Sequence, residues 1–222
     1  MGGFSIRDPE QVIFLLASFV IATTIHEFMH AYTAAYLGDD TAARLGRITL
    51  NPMMHFEPIG FIGMVLISLG FPAIGWGKPV PVNVNRLRGQ FRGRKTGMAI
   101  VALAGPISNV VQAAVASIPF WLSGGIVADS PLTEFLLSYI FVNLLLASFN
   151  MIPVPPLDGS RLLAAILPRF WQPYLISLER YGIMVIFLLA ILGGQLGGSI
   201  TGAMYGPVYE LLLGVVTNDG SF

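Results

Sequence analysis

The chain has 222 residues, 55% of them hydrophobic and 11% charged, with a formal net charge of zero. Soluble domains carry about 25% charged residues, and mean hydropathy here is +0.73, so the composition excludes an ordinary soluble protein and points to an all-α polytopic membrane protein. The balanced charge gives nucleic acid no footing, and without cysteine there is neither a disulfide framework nor a thiolate metal site.

Five to six hydrophobic segments are predicted, at about 12–37, 58–75, 97–122, 132–152, 181–197 and 199–216. They form a single membrane-embedded domain over 1–222, with a core of about 12–165 and C-terminal helices over about 166–222. The first approaches the ~20 apolar residues that cross hydrocarbon as a helix. It is read as a retained span rather than a secretory leader. Arg7 is offset by Asp8 and Glu10, and the apolar run continues to about Leu37.

Inside this run lies "FVIATTIHEFMHAY", with two of the chain's three histidines. His26 and His30 are four residues apart, so a helix presents both imidazoles on one face, one turn apart, where they can bind one zinc ion. Glu27 stands beside them, placed to act on a metal-bound water without being a ligand. Ionisable groups at membrane depth mark functional sites by default.

The second segment is interrupted by Pro58, Gly60, Gly63, Gly70, Pro72 and Gly75. Such breaks are tolerated where backbone is buried in protein or lines a wet cavity. Arg44–Asn51 is rich in strand formers, and the prolines of Lys78–Asn85 force an extended chain. The stretch 44–85 is therefore predicted to be a re-entrant element with β-hairpin character. The basic loop that follows, with Arg86, Arg88, Arg92, Arg94 and Lys95, belongs on the cytoplasmic side by the positive-inside tendency. "FW" at 120–121 and "FWQPY" at 170–174 mark membrane interfaces.

A catalytic zinc site has three protein ligands and one open position. Two sources for the third ligand stand side by side: His55 with its neighbour Glu57, and Asp158 in "NMIPVPPLDGSRLL". Asp158 also has a simpler reading, as the cap of a helix beginning near Arg161. Topology bears on the choice. Were 58–75 a full span, His26 and Asp158 would lie roughly 20 Å apart along the membrane normal. If it is re-entrant, the first and fourth segments run in the same sense and both residues reach the cytoplasmic half. Re-entrance also puts Arg44, Arg47, the basic loop, Arg161, Arg169 and Arg180 inside, leaving Arg7 outside.

The chain resembles the site-2 protease family of intramembrane zinc metalloproteases, in its short form. The resemblance rests on "HEFMH" in the first helix, "GPISN" (Gly105–Asn109) in the third segment and "NMIPVPPLDG" (Asn150–Gly159) after the fourth, and covers about residues 12–165. "LGRITLNPMMHFEPIGF" is similar to the family's membrane-embedded loop. No segment fits a PDZ or CBS domain.

The resemblance implies His26, His30 and Asp158 as ligands of one Zn2+ per chain and Glu27 as the catalytic glutamate. It implies the lipid bilayer of the cell membrane as surroundings and a transmembrane protein as substrate, cut to release a regulatory fragment. It also implies a substrate-binding role for Asn109, as a donor to the oxyanion or a clamp on the substrate backbone; an interhelical hydrogen bond is the other reading. Asn150 is expected to hold the turn that aims Asp158, His55 to pin the loop, and Asn143 to pack. A membrane metal-ion transporter using the same His/Asp site is the alternative function. A glutamate inside the metal-binding pair and the lack of an inverted repeat count against it.

Overall fold

The computed structural model describes residues 9–69, 71, 73–87, 94–123, 130–171 and 206–213, with residues 174, 181, 182 and 184 singly. Three helices are long and apolar enough to cross a membrane: α1 (Pro9–Tyr36), α4 (Arg94–Leu122) and α5 (Pro131–Asn150). Between the first two come α2 (Thr41–Arg44) and α3 (Pro58–Ser68), and α6 (Asp158–Ile166) follows α5. The predicted segments at 181–197 and 199–216, and Arg88 and Arg92 of the basic loop, fall mostly or wholly outside the described residues. Residues 206–213 are helical, and Tyr209, Leu212 and Leu213 pack on the cluster formed by α4 and α5.

Start signals are plain in the sequence. Pro9 opens α1 and Pro131 opens α5, where a missing N–H costs nothing. Ser130 caps α5 by accepting a hydrogen bond from the Thr133 N–H at 3.2 Å.

The helix pairing is equally direct. Near their starts, Phe14 of α1 meets Phe135 of α5 edge to face. Further along, Leu15, Phe19 and Ala22 cluster with Val142 and Leu146, so α1 and α5 run parallel. Helix α4 runs the other way. Its first turns, Met98 and Val101, pack on Ala34 and Leu37 at the end of α1, and its last turns, Ala113 to Phe120, pack on Leu136, Leu137 and Ile140 of α5. Small residues line these seams: Ala22, Ala31, Ala34, Ala113 and Ala147 are fully buried, and their size lets helix backbones approach closely. The outer face of α4 shows Ile107, Val111, Val115, Ile118 and Leu122, an apolar stripe at helical spacing suited to lipid.

Because α4 is antiparallel to α1, the chain leaves α1 and enters α4 at the same end of the bundle. Helix α3, with 11 residues, is about 16 Å long at 1.5 Å per residue, half of a hydrocarbon core. It is followed by an extended return, residues 73–83, laid directly against it. A Cβ at Gly60 would overlap the carbonyl of Trp76, and one at Gly63 that of Ile74. The glycines that break the second segment are the places where two backbones touch.

The expected β-hairpin character is not realised: no strand occurs among the described residues. Arg44, expected to open a strand, closes α2. Residues 45–51 make a turn, where Gly46 has φ +67° and the Arg47 N–H returns to the Ala42 carbonyl at 3.0 Å. On the other side, Pro79 and Pro81 have no N–H to offer a ladder. The donors that remain go elsewhere: Lys78 N–H to the His55 carbonyl at 2.9 Å, Val80 N–H to Glu27 Oε2 at 3.1 Å and Asn83 N–H to Asp39 Oδ2 at 2.6 Å. The segment is extended, but it is tied to side chains of helix α1 and its corner rather than to a partner strand.

Candidate metal centre

Two turns before the end of α1, the i, i+4 spacing puts His26 and His30 on the face turned toward α4 and α5, both buried. Each ring is held from behind. His30 Nδ1 donates to the carbonyl of Val101 at 2.7 Å, and His26 Nδ1 donates to Asn109 Oδ1 at 2.6 Å, both acceptors lying on α4. With the hydrogens fixed on Nδ1, the two Nε2 atoms carry lone pairs, and they face each other at 3.0 Å.

Asp158 completes the group. The turn 151–157 reverses the chain after α5, and α6 begins at Asp158 itself with no side-chain cap. The capping reading is thus set aside. Gly159 lies against the carbonyls of Met151 and Ile152, where no Cβ fits, and this seating aims the preceding carboxylate back into the bundle. Asp158 Oδ2 stands 3.2 Å from both Nε2 atoms.

Three donor atoms within 4.8 Å of one another meet the ligand geometry of a small cation. Bonds of 2.0–2.2 Å in a tetrahedron separate ligands by about 3.3 Å, close to the 3.0–3.2 Å found. Two opposed lone pairs and an ionised carboxylate repel without a positive charge among them, so the donor set fits a divalent metal. Space is reserved as well. A Cβ at Gly105 would stand 2.6 Å from His26 Nε2 and nearer still to His30 Nε2. Gly105 lies four residues before Asn109, on the same face of α4, and sequence reasoning quoted it without finding this task.

The centre opens on a cleft of about 260 Å³ lined by Thr23, Glu27, Trp76, Val80, Asn150 and Arg161 among others. Glu27 is on its wall, buried, with Oε2 accepting from the Val80 N–H. The extended return roofs this part of the cleft. It is fastened by Arg47, whose Nη2 donates to the Lys78 carbonyl at 2.6 Å. Burial lowers the pKa of that guanidinium, against an opposing attraction to Glu27.

Other expected residues take different places. Asn109 does not line the cleft; it is fully buried behind His26, with Nδ2 donating to Asn143 Oδ1 at 2.8 Å and toward the Ala22 carbonyl at 3.4 Å. Of the two roles expected for it, the interhelical hydrogen bond is the one its contacts here make, with both ends of the amide engaged inside the bundle. Asn143, expected only to pack, is part of the same buried chain of amides. His55 is apart from the metal group, as expected: its Nε2 bonds the Thr49 carbonyl at 2.8 Å and its own carbonyl receives Lys78, so it pins the loop. Asn150 lines the cleft and donates to the Leu146 carbonyl of its own helix at 2.9 Å; no bond from it to the turn is seen among the described residues.

Three helices of membrane length around a buried His-His-Asp centre, with a glutamate on the cleft wall, define a membrane metallopeptidase. The family model described as peptidase family M50 matches residues 117–193, the stretch that carries Asp158. A Bacillus subtilis (strain 168) protein named "Putative zinc metalloprotease YwhC" is 35% identical over 79% of this chain and 79% of its own length. Two proteins named "Putative zinc metalloprotease Rip2" are also similar. The one from Mycolicibacterium smegmatis is 28% identical over 81% of this chain and 67% of its own, and the one from Mycobacterium tuberculosis (strain ATCC 35801 / TMC 107 / Erdman) 27% over 82% and 69%. No solved structure matches. The chain belongs to peptidase family M50, the site-2 protease family, and the transporter alternative falls away.

Proposed function

We propose that this protein is an intramembrane zinc metalloprotease, a single membrane-embedded domain that hydrolyses peptide bonds within or near transmembrane segments of other proteins. The observation that carries the reading is the meeting of His26, His30 and Asp158 beside Glu27 in a cleft between apolar helices. Zinc is favoured by the nitrogen and oxygen donors and the near-tetrahedral spacing. When bound, it supplies a Lewis acid and an acidified water.

The chain's own groups do the rest. His26 and His30 are oriented by their Nδ1 partners so that Nε2 points inward, and Asp158 contributes the anionic ligand. Glu27 Oε2 is engaged by Val80, which leaves Oε1 to take a proton from the attacking water and return it to the departing amine. The substrate helix must unwind before its carbonyl is reached. The extended segment 73–83 along the cleft offers the place where the opened strand would lie, by β-strand addition.

The arrangement of α1 and α4 supports re-entrance of 44–85, and Arg44, Arg47, Lys78, Arg86, Arg94, Lys95 and Arg161 gather toward that end. By the positive-inside tendency that end is cytoplasmic, with the active site in the same half of the cell membrane. A cysteine at the exposed position 45 should then be labelled only from the cytoplasmic side; labelling from outside reverses the topology.

The test of function uses purified protein in detergent with a fluorescently labelled single-span substrate. Cleavage that stops with a chelator and returns with zinc is the expected result. Turnover unaffected by the chelator, or none under any metal, contradicts it.

A further inference from the structure

The two histidines are held in unlike ways. Behind His30 is a backbone carbonyl, which can only accept, so the hydrogen on its Nδ1 is assured. Behind His26 is the carboxamide of Asn109, which could present either an oxygen or an NH2 group. An NH2 facing Nδ1 would move the ring hydrogen to Nε2 and remove the lone pair a metal needs. Something must orient that amide.

The answer begins on α5. Asn143 Nδ2 donates to the Tyr139 carbonyl at 2.9 Å, which forces its oxygen toward Asn109. Asn109 must then turn its own NH2 to that oxygen at 2.8 Å, and the Ala22 carbonyl at 3.4 Å asks the same of it. Only the oxygen of Asn109 is left for His26, at 2.6 Å. Both asparagines are fully buried, and water cannot substitute for any member.

We propose that Asn109 and Asn143 are positioning residues: a one-way chain of buried amides, anchored on the Tyr139 carbonyl, that fixes the hydrogen of His26 on Nδ1 and keeps Nε2 for the metal. This rests on the zinc site proposed above. Partners of this kind orient metal-bound histidines elsewhere, and their loss lowers affinity by about 10- to 100-fold.

The experiment measures zinc affinity by chelator competition, and the melting temperature of the metal-free protein, for wild type, N109L, N109D and N143L in detergent. N109L is expected to lose affinity in the 10- to 100-fold range, and N143L to lose less, since the Ala22 carbonyl still orients Asn109. N109D keeps an oxygen toward His26 while setting its other oxygen against two acceptors. It should therefore melt lower yet bind zinc more tightly than N109L. A merely structural role predicts that affinity follows stability in all three, and that outcome overturns the proposal. So does wild-type affinity in N109L or, should N109L fail to fold, in N143L. Wild-type protein that does not bind zinc would sink the site reading instead.

Discussion

The wall that holds the metal donors and the loop that covers them are built on opposite principles. The wall joins α1, α4 and the start of α6 through buried side chains, and the Val101 carbonyl and Asn109 hold the two histidines. The cover, residues 45–69, 71 and 73–87, is fastened by a few bonds, from Arg47 to the Lys78 carbonyl and from Val80 and Asn83 N–H groups to Glu27 and Asp39. Sparse fastening goes with low local stability. The metal site thus sits on packed helices, and access to it on a segment held by fewer contacts.

Substitutions in the wall should have the largest effects and should act on the metal. Gly105→Ala places a methyl group among the ligand atoms; zinc content should fall to background and cleavage with it, as measured by elemental analysis and the substrate assay. Metal retention at the wild-type level would show that the space in front of Gly105 is not the binding position. Next comes Glu27→Gln, which removes the proposed general base and leaves the metal-facing side chains. Zinc should stay bound while the cleavage rate drops by about 10²- to 10⁴-fold. An active variant would take Glu27 out of the chemistry.

Changes in the cover should leave zinc in place. Arg47→Leu releases the carbonyl of Lys78 and loosens the roof over Glu27. Hydrogen bonds from charged groups are worth about 1.5–3 kcal/mol, so limited proteolysis within 73–83 should be faster and cleavage activity altered, with zinc affinity unchanged. The smallest effect is expected for His55→Ala, which leaves the Thr49 carbonyl without its partner. A loss of about 1–3 kcal/mol of stability, read as a lower melting temperature with full zinc content, separates a loop pin from a ligand.

The same division decides what could be read from the sequence. The long helices were legible because apolar runs of about 20 residues or more are the mark of membrane-length helices. The metal group was legible in two parts. The i, i+4 pairing of His26 and His30 follows from helix geometry alone, while Asp158 stood level with His55 until topology and the resemblance favoured it. Glycines 60 and 63 announced a broken segment, but the touching backbones they serve are a tertiary fact. The hairpin expectation over 44–85 failed because strand propensity at Ile48 and Val82 says nothing about donors, and Pro79, Pro81 and the helix side chains decide where the donors go. Asn109 was left between two readings for a related reason: a motif places a residue on a helix, and its neighbours on two other helices decide which way its amide faces.

Zinc stoichiometry across three purified forms tests the centre most directly. Wild type and His55→Ala should each carry one zinc per chain, and Asp158→Ala should carry almost none. Zinc retained by Asp158→Ala and lost from His55→Ala would mean that the carboxylate beside the two imidazoles is not the third ligand.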